Sequence, residues 1–109
     1  MIRGALAGAM LLLTTSVSMA DAIITDALAL YDSGNPVGRA FMQGMTQGVD
    51  WANTASTVKL YCPPPGIVLT VEQHVGMLKD MLARYPEFHD SPLGAAVVVM
   101  LQKNFPCRR

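Results

Sequence analysis

Apolar side chains recur along this sequence at intervals of three and four, the spacing of one helix face, and no stretch alternates as a half-buried strand would. From about Ala22 to Tyr31, the residues Ile24, Ala27, Leu28 and Tyr31 mark a first helix that ends at Asp32-Ser33-Gly34. A second opens at Asn35-Pro36, an N-cap side chain followed by proline at the first helical position, and runs to about Thr54. Thr70-Val71-Glu72-Gln73 is a capping box for a third helix. Val71, Val75, Leu78, Met81, Leu82 and Tyr85 form its apolar face, and Pro86 stops it. Ser91-Pro92 repeats the cap-and-proline device for a fourth, lined by Leu93, Ala96, Val97, Met100, Leu101 and Phe105 before Pro106. The pattern predicts an all-α domain, a small bundle of about four helices. The link between the third and fourth is short, which predicts an antiparallel C-terminal pair.

The chain ahead of these helices has a different character. Arg3 precedes an apolar run from Gly4 to Leu13, and small residues follow, with Ser18 and Ala20 at the −3 and −1 positions of a cleavage site. Residues 1–20 are read as a secretory signal, cleaved between Ala20 and Asp21, leaving residues 21–109 as the working domain. The apolar run is too short for a spanning anchor, and Asp21 and Asp26 interrupt it. No membrane association is expected after cleavage.

Composition narrows the field further. The 109 residues carry 8 basic and 8 acidic side chains, 51% apolar residues and 15% charged ones. Scattered lysines and arginines with zero net charge do not make a nucleic-acid surface, which needs clustered basic residues. A disordered acidic tail, a disulfide-dense toxin and a multi-domain enzyme are excluded by the same figures.

Two features bear on association and stability. Ala40, Gly44, Gly48 and Ala52 form a stripe of small residues, each four apart, on the second helix. Glycine inside a helix costs roughly 1 kcal/mol against alanine, so close approach of another helix is expected to offset it. That helix belongs either to the same chain or to a second copy in a dimer. Cys62 precedes the third helix and Cys107 follows the fourth. An antiparallel pair brings those ends together, so a Cys62–Cys107 disulfide is predicted, as suits an exported chain. A catalytic or metal-binding thiol is the rejected rival, since no second cysteine or histidine stands at zinc spacing.

Candidate chemistry is sparse. His74 lies beside the apolar face of the third helix, where a partly buried or solvated imidazole is expected. Glu87, His89 and Asp90 sit too close together in sequence to converge readily on a metal, so no metal site and no cofactor is predicted. No glycine-rich phosphate loop and no serine-nucleophile motif occurs, and no enzyme is predicted. Met42, Met45, Met77, Met81 and Met100 fall at core-like spacings.

Tyr61-Cys62-Pro63-Pro64-Pro65-Gly66, the helix from Thr70 to Leu82, Tyr85-Pro86-Glu87, Ser91-Pro92 and Asn104-Phe105-Pro106-Cys107 together resemble the Rap/Tai family of immunity proteins. Phe41-Met42-Gln43-Gly44 and Gly48-Val49 are similar to that family's aromatic-x-x-Gly segment and its following glycine. The C-terminal half carries the specific part of the likeness. Many members have a further cysteine pair in the first two helices, which this chain lacks, and Tyr85 stands where histidine is frequent.

The resemblance implies a periplasmic inhibitor that binds a peptidoglycan amidase effector of type VI secretion and blocks its active-site cleft, often as a homodimer. The loop Glu87-Phe88-His89-Asp90 suits such a contact, with an aromatic anchor among charges. The competing expectation is an ordinary helix connection with Phe88 tucked into the core. A small periplasmic stress or chaperone-like protein that binds clients on apolar helices is the alternative function.

Overall fold

In a computed structural model, which describes residues 22–108, Ala22 and Ile23 lie outside helix, ahead of the first one. The signal region 1–20 and the expected cleavage point between Ala20 and Asp21 lie outside the described residues. Four α-helices follow: α1 (Ile24–Asp32), α2 (Pro36–Ala55), α3 (Val71–Arg84) and α4 (Leu93–Asn104), with a 3-10 turn at Pro86–Phe88 before α4. The all-α, four-helix architecture and the Cys62–Cys107 disulfide match the reading of the sequence.

Local chemistry accounts for most helix boundaries. Asn35 Oδ1 accepts the Val37 N–H at 2.9 Å at the start of α2. The capping box of α3 closes in both directions, Thr70 Oγ1 accepting from the Gln73 N–H and Gln73 Oε1 accepting from the Thr70 N–H. The start of α4 is a correction. Ser91 does not cap it; Pro92 occupies the N-cap with extended ψ of 138° and offers no side-chain acceptor. The Leu93 N–H, one of the donors that a helix leaves unpaired, instead finds the Ala22 carbonyl at 2.7 Å. The Ile24 N–H reaches the Ser91 carbonyl at 3.0 Å, so residues 22–24 form a short antiparallel bridge to 91–93. This pairing explains why α1 starts at Ile24, the first residue of its apolar spacing, rather than at about Ala22.

The core draws on every helix. Ile24 and Leu28 of α1, Met42 of α2, Leu78 and Met81 of α3, and Leu93, Val97, Met100 and Leu101 of α4 are buried. α4 is the most enclosed element, with apolar residues hidden along its whole length. Gly38 marks the closest approach of α1 and α2. A Cβ there would lie 2.7 Å from the backbone carbon and oxygen of Leu30.

The connector between α2 and α3 is stitched in place. Asn53, buried on α2, accepts from the Leu60 N–H and donates to the Tyr61 carbonyl. The Cys62 N–H donates to the Phe105 carbonyl at 2.8 Å beside the disulfide, whose Cα atoms are 4.9 Å apart. A formed disulfide is the state expected of an oxidising compartment. Among the described residues no helix is long and apolar enough to cross a membrane.

Candidate functional site

Backbone hydrogen bonds fix the loop between α3 and α4. The Phe88 N–H donates to the Tyr85 carbonyl at 3.1 Å, His89 N–H to Pro86 at 3.1 Å, and Ser91 N–H to Phe88 at 3.0 Å. From α1, the Thr25 hydroxyl donates to the His89 carbonyl at 3.2 Å. Phe88 is half-buried against the core, its ring edge-on to that of Tyr85 at 6.3 Å between centroids. The Lys103 ammonium lies over the Tyr85 ring at 4.1 Å. Phe88 is therefore committed largely to the interior, while Glu87, His89 and Asp90 are exposed. The turn presents two carboxylates and an imidazole on a pinned backbone.

The small-residue stripe on α2 faces outward. Ala40, Gly44, Gly48 and Ala52 are all exposed, and a Cβ at Gly44 or Gly48 would meet no described atom within 4 Å. The expected neighbour within the chain is thus not found among the described residues, and the close-packed glycine of this helix is Gly38 instead. The stripe floors a shallow apolar groove with Phe41, Met45 and Val49 on its sides. The buried side of α2 carries Met42, Thr46 and Asn53, two of them polar. The sequence pattern points the other way because Asn53 is buried for its hydrogen bonds rather than for apolar contact.

A second surface was not anticipated. Trp51 is 72% exposed and Val68 is 87% exposed. With Asp50, Pro63, Ile67 and Leu69 they line a cleft of about 440 Å³ between α2 and the connector. Beneath it lie three polar groups. The Tyr61 hydroxyl donates to Asp50 Oδ1 at 2.5 Å, and Asp50 Oδ2 is 3.2 Å from His74 Nε2. The other ring nitrogen of His74, Nδ1, is 2.8 Å from the Thr70 carbonyl. His74 is 1% exposed, so the imidazole expected to be partly buried or solvated is fully buried. Burial, and then the hydrogen bond to Asp50, push the Tyr61 hydroxyl well above the ordinary phenol range. No periodicity could reveal this cluster, whose members come from α2, the connector and α3.

Surface ion pairs complete the electrostatics. Arg39 and Glu72 join α2 to α3 at 2.6 Å, and Lys79 reaches Asp32 at 2.7 Å. A backbone hydrogen bond at Glu72 and then the Arg39 guanidinium hold the Glu72 carboxyl below its usual range. Both partners are exposed, and such pairs add little stability. Of the methionines at core-like spacings, Met42, Met81 and Met100 are buried, and Met45 and Met77 are partly buried against the core. Among the described residues no three His, Cys, Asp or Glu side chains converge as metal ligands would.

No protein-family model, no curated protein and no solved structure matches the chain.

Proposed function

We propose that the domain is a periplasmic immunity protein that binds a peptidoglycan amidase effector of type VI secretion and occludes its active-site cleft. The observation that carries this reading is the pinned turn at Pro86–Phe88. Its hydrogen bonds fix the backbone that carries the exposed Glu87, His89 and Asp90. A loop ordered before contact loses little conformational entropy on binding, which is how a small convex element inserts tightly into a concave site. Its carboxylates complement a basic rim or a protonated active-site histidine. The formed disulfide fits an exported protein. The groove over Ala40, Gly44, Gly48 and Ala52 is the surface through which two copies pair in a homodimer.

The test is an amidase assay on peptidoglycan with the domain and with its E87A/H89A/D90A variant. The wild-type domain inhibits, and the variant loses at least about tenfold in affinity, since each 1.4 kcal/mol is tenfold. Absence of binding to any peptidoglycan amidase overturns the reading.

A second reading, a periplasmic stress protein that holds unfolded clients, has its own observation in the apolar side chains left in water at Trp51, Val68 and Val58. Suppression of aggregation of an unrelated unfolded protein, lost in W51A, distinguishes it from amidase inhibition.

A further inference from the structure

His74 has an oxygen near each of its ring nitrogens, one within hydrogen-bond reach of Nδ1 and one at ion-pair distance from Nε2, and neither oxygen can donate. A backbone carbonyl stands at Nδ1 and a carboxylate oxygen at Nε2. A neutral imidazole owns one N–H and satisfies one of them. If that proton sits on Nδ1, Nε2 is left buried without a partner, and water cannot replace it because the atom is shielded. The imidazolium donates to the Thr70 carbonyl and sets a positive charge against the Asp50 carboxylate. The other charged groups on the surrounding elements are engaged elsewhere. Arg39 pairs with Glu72, Lys79 with Asp32 and Arg84 with Asp80; Lys59 donates to the Asn53 and Thr54 carbonyls, and Lys103 covers Tyr85. Asp26 of α1 is exposed. Asp50 is thus the titratable partner that His74 meets, and Tyr61 is coupled to it through Asp50.

We infer that Asp50, Tyr61 and His74 form a proton-operated latch that sets the shape of the Trp51 cleft. With a proton on each nitrogen, the ring ties the Thr70 carbonyl to Asp50 and draws the start of α3, with Leu69 before it, onto α2. Loss of the Nε2 proton leaves a lone pair facing a carboxylate oxygen, and the contact turns from attractive to repulsive. Asp50 keeps its bond to Tyr61, so the side that gives way is the segment from Leu69 to His74. Asp50, Trp51 and Leu69 all line the cleft, and its walls move apart as the latch opens.

Trp51 is the only tryptophan of the chain and reports on the cleft directly. The experiment follows Trp51 emission and the imidazole nitrogen signals of His74 by NMR between about pH 5 and pH 8, where histidine changes charge. The expected result is one shared midpoint in the wild-type domain, with Leu69 and Thr70 amide shifts following it. D50N loses the Trp51 transition, whereas H89Q, which removes the exposed loop imidazole, keeps it. The wild-type spectra decide the matter alone should D50N not fold. A His74 ring that stays singly protonated throughout, or Trp51 emission that stays flat while His74 titrates, overturns the latch.

Discussion

Asn53 holds Leu60 and Tyr61 with one amide: Oδ1 accepts from the Leu60 N–H at 2.7 Å and Nδ2 donates to the Tyr61 carbonyl at 2.8 Å. The side chain is 5% exposed and its bond to the Tyr61 carbonyl is buried, so that carbonyl has no water to fall back on when the amide is removed. N53A is expected to cost about 2 kcal/mol. In a domain of this size that lowers the melting temperature by roughly 8–16 °C, measured by calorimetry or circular dichroism. N53D keeps the acceptor but sets an oxygen against the Tyr61 carbonyl, and it should be no better than alanine.

The disulfide closes a sequence separation of 45 residues. Chain entropy assigns such a loop about 4 kcal/mol, a large share of what a small domain possesses. C62S/C107S is expected to unfold at markedly lower denaturant concentration than the oxidised protein. Reduction of the wild type should reproduce that change, and an unchanged midpoint would show that the Cys62–Phe105 backbone bond and the core carry the C-terminus by themselves.

Glycines on α2 are expected to separate into two kinds. G44A and G48A place a methyl group in open space and remove backbone freedom from the unfolded chain, so each stabilises the isolated domain by roughly 0.5–1 kcal/mol. G38A drives a methyl group into the Leu30 backbone and destabilises it. Sedimentation adds a second readout: if the groove pairs two copies, G44A and G48A weaken the pairing while raising the melting temperature.

Tyr61 should ionise well above the ordinary phenol range. Its folded pKa is raised above the unfolded value of about 10, so the folded state holds this proton more tightly. The associated stability is complete below about pH 10 and is lost as pH rises beyond it. Ultraviolet titration of tyrosinate should show Tyr61 ionising only as the domain unfolds. Y61F should flatten the alkaline arm of the stability profile.

Legibility in the sequence tracked how local each determinant is. The α3 capping box lies within four residues, and its hydrogen bonds appear as the residue types require. The cysteine pair was readable because few alternatives exist for two thiols. The direction of the α2 stripe was not readable, because periodicity identifies a face without saying what covers it. Small residues read as an interior seam, whereas Thr46 and Asn53 lie inside. The start of α4 was misjudged for a related reason: its cap comes from Ala22, far away in sequence. The cluster of Asp50, Tyr61 and His74 exists only after three separate segments meet, and no motif spacing encodes it.

α4 is gripped at both ends by earlier parts of the chain. Ala22 holds Leu93 at one end, and Cys62 holds Phe105 and Cys107 at the other. A ribosome releases α4 after the other three helices, so the apolar faces that it covers stay open until it emerges. The domain consequently cannot finish piecemeal during synthesis. Its core closes only when α4 is present, so a fragment ending before residue 93 would lack both grips at once.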